Sequence, residues 1–132
     1  MLKPLKLQVR FSDCDMMQHV NNAVYLNYFE EARIHYFKQL LSEDWNWNTH
    51  GIILRKNEIE YLKPVFLYEL VEVHMYRKHV GTKSFVLSYD VIVGGEVRCV
   101  GDSVLVCYNN FEKKSTEMYS ELALALSQIP EK

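Results

Sequence analysis

Between Val24 and Leu41 the chain runs without a glycine or a proline, and Leu26, Phe29, Tyr36, Phe37 and Leu40 recur along it at close to the helical period. Such a segment forms one long helix with a buried stripe. Its expected start is Asn21 or Asn22, whose side chains can accept the unpaired N–H groups of a first turn, and its expected stop is near Ser42. Beyond Trp45 and Trp47 the helical period disappears. Period-two patterns replace it over Ile52 to Tyr61, Glu69 to Val80, Lys83 to Val93 and Glu96 to Tyr108, and a further strand pattern, Leu5 to Phe11, precedes the helix. The helix must therefore bury its stripe against a sheet built mostly from residues that follow it, which makes the chain an α+β protein.

The turn residues order that sheet. Val93-Gly94-Gly95-Glu96 predicts a tight hairpin, because two glycines supply the positive φ angles of a primed turn, and Gly81 marks a second reversal. At least three consecutive strands are then antiparallel. Phe85, Leu87, Tyr89, Val91 and Val93 alternate with Val86, Ser88, Asp90 and Ile92, giving one strongly apolar face to cover the helix. The tail from Tyr119 to Leu126 reads as a short closing helix. No repeat, linker or low-complexity stretch divides residues 1–132, so one domain is expected.

The 132 residues are nearly half apolar and carry a formal net charge of -2. That balance argues against a broadly basic nucleic-acid-binding surface. Nowhere do ~18 uncharged apolar residues run together, and the opening MLKPLKLQVRF lacks an apolar stretch of signal-peptide length. A soluble, cytoplasmic protein with no membrane partner is the expectation. Cys14, Cys99 and Cys107 are odd in number and lack C-x-x-C spacing, so free thiols are the simpler assignment.

The most distinctive residues are Val9-Arg10-Phe11-Ser12-Asp13-Cys14-Asp15, then His19-Val20-Asn21-Asn22, Tyr25-Leu26 and Glu30-Glu31-Ala32-Arg33. This set resembles the 4-hydroxybenzoyl-CoA thioesterase branch of the hotdog superfamily, and its run of H-V-N-N after D-x-D is also similar to acyl-ACP thioesterases of the same fold. Weaker similarity continues through Tyr61-Leu62-Lys63-Pro64 and Gly81-Thr82-Lys83-Ser84. The resemblance implies a hotdog fold, an antiparallel five-stranded sheet wrapped around one long α-helix, and hydrolysis of an acyl thioester. It implies no cofactor, coenzyme A entering only as part of the substrate. It also implies a homodimer or homotetramer, with the site at an interface that Glu58 or residues near Thr82 complete from the other chain.

Thioester hydrolysis needs an attacking group, a donor for the developing oxyanion and an apolar groove. An aspartate is ionised at neutral pH and can attack the carbonyl or deprotonate a water. By the resemblance that carboxylate is Asp15. Asp13 would share a face with it if the chain were extended, or would bind loop amides or Arg10. Asn22 opens the helix, where free N–H groups and the helix dipole favour negative charge, and the resemblance gives its backbone amide the oxyanion role. His19 is open between fixing the turn and assisting proton transfer. With no second His at helical spacing and no Cys cluster, a metal is not expected. Cys14 lies between carboxylates that disfavour a thiolate, which argues against it as nucleophile.

Tyr25 and Phe29, with Tyr28, divide between core packing and an acyl groove. Lys63, Arg77, Lys78, His79 and Lys83 form a loose basic set, with Thr82 and Ser84 as donors, that meets the coenzyme phosphates or is merely a solvated surface. The expected activity is acyl-CoA hydrolysis, with acyl-ACP hydrolysis and non-catalytic acyl-CoA binding as alternatives.

Overall fold

In a computed structural model covering residues 1–132, strands β1 (Leu5–Gln8), β2 (Gly51–Tyr61), β3 (Leu70–Val80), β4 (Ser84–Val93) and β5 (Glu96–Asn109) form one antiparallel sheet in the order β1-β3-β4-β5-β2. A two-residue strand, β6 (Lys114–Ser115), is appended to β5. β1 and β2 lie at opposite edges. The 17-residue helix α1 (Val24–Leu40) connects them, which forces it across the face of the sheet.

α1 buries Tyr25, Tyr28, Phe29, Ala32, Tyr36 and Phe37 on that face, while Leu26 and Leu40 stay half-exposed at its flanks. The sheet answers with Val73, Met75, Phe85, Leu87, Tyr89 and Val91, all essentially inaccessible. Phe29 and Tyr89 stack with ring centroids 4.3 Å apart at the centre of this layer. Full burial of one such apolar side chain contributes roughly 1.5–3 kcal/mol. The short helix α2 (Ser120–Ser127) adds Leu122 and Leu126 to the same core. This is the hotdog arrangement expected from the sequence.

Gly94 and Gly95 adopt φ of +57° and +80° and close the β4–β5 hairpin as its turn chemistry requires. Irregularities in pairing at Leu54/Lys56, Arg77/His79 and Val91/Ile92 let the long strands curl around α1. No helix is long and apolar enough to cross a membrane.

Two local expectations need correction. β1 ends at Gln8 rather than Phe11, because the Asp13 carboxylate captures the Arg10 N–H at 3.0 Å and winds Phe11–Asp13 into a 3-10 turn. α1 is capped by Ala23 and not by Asn21 or Asn22. The Asn21 side chain instead accepts the Ala23 N–H at 3.0 Å, and its carbonyl accepts the Val24 N–H at 2.9 Å, so a tight turn precedes the helix.

Candidate active site

The segment between the 3-10 turn and α1 is a loop closed on itself. Cys14 pairs with Val20 across an isolated antiparallel bridge, and the Asp15 N–H donates to the His19 carbonyl at 2.9 Å. Gln18 takes φ of +63° to complete the reversal. Inside this loop the Asp15 carboxylate is held by its own backbone: Oδ1 accepts the N–H groups of Met17 at 2.9 Å and His19 at 3.3 Å. Oδ2 has no protein donor, and the residue is exposed. One oxygen is thus fixed while the other is available to a substrate or a water.

Asp13 does not share a face with Asp15, since the chain is wound there and not extended. It is 5% exposed and turns inward, accepting from the Tyr28 hydroxyl at 2.9 Å and ion-pairing with Arg10 at 3.4 Å. Burial, followed by this contact with Asp13, pushes the Tyr28 phenol well above its usual range and keeps it a donor. Asp13 therefore ties the loop to α1. The Asn21 N–H donates to the Asp13 carbonyl at 2.9 Å, a second tie that leads straight into the turn before the helix.

In that turn the Asn22 N–H has no protein acceptor, and the residue is exposed. Its carbonyl is occupied by the Tyr61 hydroxyl at 2.7 Å. Because the Asn21 carbonyl accepts from Val24, the peptide that carries the Asn22 N–H is polarised in the sense that strengthens a donor. A free, oriented amide and a carboxylate with one free oxygen therefore lie on two successive turns, joined through the Cys14–Val20 bridge and the Asn21–Asp13 hydrogen bond.

The other predicted residues are dispersed. His19 is half-buried, bridged to Phe66 through its backbone, with its ring edge-on to the Phe66 ring at 4.9 Å. Tyr25 and Phe29 are 2% and 0% exposed and belong to the core; Tyr25 accepts the Val65 N–H at 3.3 Å, and Phe29 is sealed between Tyr89 and Gly101. Glu58 faces the side of the sheet opposite α1, paired with Lys56 at 2.8 Å. Thr82 and Lys83 lie in the β3–β4 turn, and Ser84 opens β4. The register Ser84–Val106–Ile53 puts this turn level with the start of β2, whereas Asn22 meets Tyr61 at its end. Of the basic set, Lys63 is engaged by Glu96 and Lys78 by Asp102, while Lys83 has no ionic partner.

Burial first, then the carboxylates of Asp13 and Asp15, raise the Cys14 thiol above its ordinary value, which disfavours the thiolate that a catalytic nucleophile would need at neutral pH. No group of three or more His, Cys, Asp or Glu side chains converges as a metal-binding set.

Sequence reasoning missed a cavity of about 700 Å³ between α1 and β2, lined mainly by apolar residues including Ile34, Phe37, Trp45, Trp47 and Leu54. It also missed Tyr61 as a partner of Asn22. The cavity's only advance signal was the pair of tryptophans after the helix.

Residues 9–126 match the model of the thioesterase-like superfamily. The chain is 30% identical to the long-chain acyl-CoA thioesterase FadM of Escherichia coli over 129 residues, covering 94% of this chain and 96% of that protein. It is 38% identical to the uncharacterised protein YsmA of Bacillus subtilis over 84 residues, which span 64% of this chain and 56% of that one. Among solved structures, the gentisyl-coenzyme A thioesterase BH1999 superposes with a TM-score of 0.84 at 21% identity, over 94% of this chain and 99% of the other, a likeness of fold. With this match over nearly all of its length, the chain belongs to the thioesterase-like superfamily and is a hotdog-fold thioester hydrolase.

Proposed function

We propose that the protein hydrolyses acyl-CoA thioesters to a free acid and coenzyme A, with Asp15 as nucleophile or general base and the Asn22 amide polarising the carbonyl. The observation that supports this reading is that Asp15 Oδ2 and the Asn22 N–H both lack protein partners, on successive turns tied together by the Cys14–Val20 bridge and by the Asn21 N–H to the Asp13 carbonyl. In the general-base route Asp15 takes a proton from water as its oxygen bonds to the acyl carbon; in the nucleophilic route an acyl anhydride on Asp15 forms first and water then cleaves it. Both expel the thiolate, which leaves as the thiol. Neither route uses a metal or a cofactor. The similarity to FadM over almost the whole chain supports coenzyme A over a carrier protein as the thiol. A cytoplasmic location belongs to the same reading, supported by three free cysteines.

The working unit is a dimer built on β2. This 11-residue strand is unpaired on its outer side and exposes Ile53, Leu54 and Tyr61, an edge that is an aggregation hazard unless covered. Antiparallel pairing of two β2 strands brings the start of one against the end of the other. The β3–β4 turn of one chain, with Thr82, Lys83 and Ser84, then approaches the Asn22 end of its neighbour, and unpaired Lys83 can meet the coenzyme phosphates. Glu58 can reach the site only across such an interface. Two such dimers joined make the tetramer the resemblance also allows.

The test is thiol release from aromatic, short-chain and long-chain acyl-CoA esters and from the same acyl groups on acyl carrier protein. Asp15→Asn is expected to lower kcat by about 100-fold or more, whereas Asn22→Ala, which keeps the amide, loses far less. Retention of activity by Asp15→Asn, or a marked preference for the carrier protein, overturns the assignment. A single turnover in labelled water separates the two routes, since label enters the Asp15 carboxylate only when Asp15 attacks.

A further inference from the structure

Resting on the thioesterase reading, the structure assigns the substrate class: we infer that Arg33 selects acyl chains bearing a carboxylate at the end remote from the thioester. Arg33 lines the apolar cavity between α1 and β2. Its Nη1 donates to the Tyr89 hydroxyl at 3.0 Å and to Ser103 Oγ at 3.3 Å, and Ser103 Oγ in turn donates to Asn57 Oδ1 at 2.6 Å. All of these partners are neutral. Arg98, in β5, is by contrast held by Glu69 and Glu96.

Arg33 forms no ion pair. Its Nε and Nη2 have no protein acceptor, yet neither is among the enclosed unpartnered polar atoms, which are Trp45 Nε1 and Arg77 Nε. These donors are therefore accessible to solvent, on a side chain that lines the cavity. The surroundings are Phe37, Leu41, Ile52, Leu54 and Leu105, and the carboxylates of Glu30 and Glu43 sit on the exposed rim without engaging the guanidinium. A guanidinium anchored through Nη1 by neutral partners, at an apolar cavity and without an anionic partner, keeps its charge and two donor nitrogens free for an occupant that carries an anion. A planar guanidinium is matched by a carboxylate, which can accept two parallel N–H bonds.

The position also sets a length. Arg33 lies about ten residues into the stretch from the Ala23 cap, roughly 15 Å along α1, and both it and Asn22 lie beside β2, Asn22 through Tyr61 and Arg33 through the cavity it shares with Ile52 and Leu54. An arginine side chain leans toward the helix N-terminus, which shortens the gap by roughly one turn. Extended chain advances ~3.8 Å for every three bonds, so an acyl group of about ten carbons places its far end at the guanidinium when its thioester is at Asn22. The cavity, about 700 Å³, accommodates such a chain.

The experiment compares the mono-CoA thioester of decanedioic acid with decanoyl-CoA, by thiol release and by calorimetric binding. The wild-type protein is expected to favour the diacid ester by about 10- to 100-fold in kcat/KM, the scale of a charged hydrogen-bonded contact. Arg33→Met should erase most of that preference through the diacid ester alone, with a much smaller effect on decanoyl-CoA, and Arg33→Lys should restore part of it. Equal or reversed preference in the wild-type protein overturns the proposal, whether or not the variants fold. So does a folded Arg33→Met, verified by circular dichroism, that loses both esters equally. Absence of turnover with either ester counts against Asp15 chemistry; the binding preference then decides the role of Arg33 by the same criterion.

Discussion

The Tyr61 hydroxyl donates to the Asn22 carbonyl at 2.7 Å, joining the end of β2 to the turn that opens α1. The peptides on both sides of the Asn22 Cα are thereby pinned, one through the Asn21 carbonyl to the Val24 N–H and the other through Tyr61. The direction of the free Asn22 N–H is set between them. The Tyr61 ring also leans edge-on against Tyr25 at 5.1 Å, a contact that does not need the hydroxyl.

Tyr61→Phe removes the pin and leaves the ring. If Tyr61 is a positioning residue for the oxyanion donor, kcat falls by about 2- to 10-fold, the range of one net hydrogen bond, while KM and Tm change little. A lowered Tm with kcat intact would make the contact merely structural. Steady-state kinetics with a thermal melt on the same preparation tells the two apart.

Gly101 lies under the ring of Phe29, where an added Cβ would stand 2.5 Å from Phe29 Cε2 and 2.8 Å from the Glu58 carbonyl oxygen. Phe29 is stacked against Tyr89 on its other side and cannot withdraw. Gly101→Ala is expected to destabilise the fold by about 1–3 kcal/mol through overpacking. Urea unfolding measures it, and an unchanged midpoint would mean that the helix and sheet can move apart freely.

The thiols should separate by reactivity. Cys99 and Cys107 are fully buried, and burial pushes the Cys99 thiol up to about 12 and raises that of Cys107, whereas Cys14 is only partly covered. A disulfide reagent at mildly alkaline pH is expected to modify Cys14 alone in the folded protein and all three cysteines after denaturation. Rapid modification of Cys99 in the native state would contradict the closed core. Mass spectrometry of the labelled peptides assigns the sites.

What was legible in the sequence was local or periodic. The uninterrupted run through α1, the alternation along β4 and the Gly94–Gly95 turn each declare themselves within one continuous stretch of fewer than about twenty residues. The expectations that failed did so through side-chain competition for backbone: Asp13 took the Arg10 N–H and shortened β1, and Asn21 took the Ala23 N–H and delayed α1. The contacts that complete the site join residues far apart in the chain. Tyr61 is 39 residues from Asn22, and Arg33 is 56 from Tyr89 and 70 from Ser103. No spacing rule encodes such pairs, because they exist only once the sheet has curled around the helix.

The loop that carries Asp15 is stitched at its base by the Cys14–Val20 bridge and by the Asp13 contacts, while its tip, Met16 and Met17, is 100% and 68% exposed. The carboxylate proposed to react, Asp15, is anchored at the base, and the most exposed side chains are at the tip. Two consecutive flexible thioethers at the rim form a soft collar that can be exchanged for bulkier, smaller or charged residues without disturbing the carboxylate beneath. Under the mechanism proposed above, substitutions at this tip are expected to change how large acyl groups approach Asp15 while its two backbone hydrogen bonds are kept.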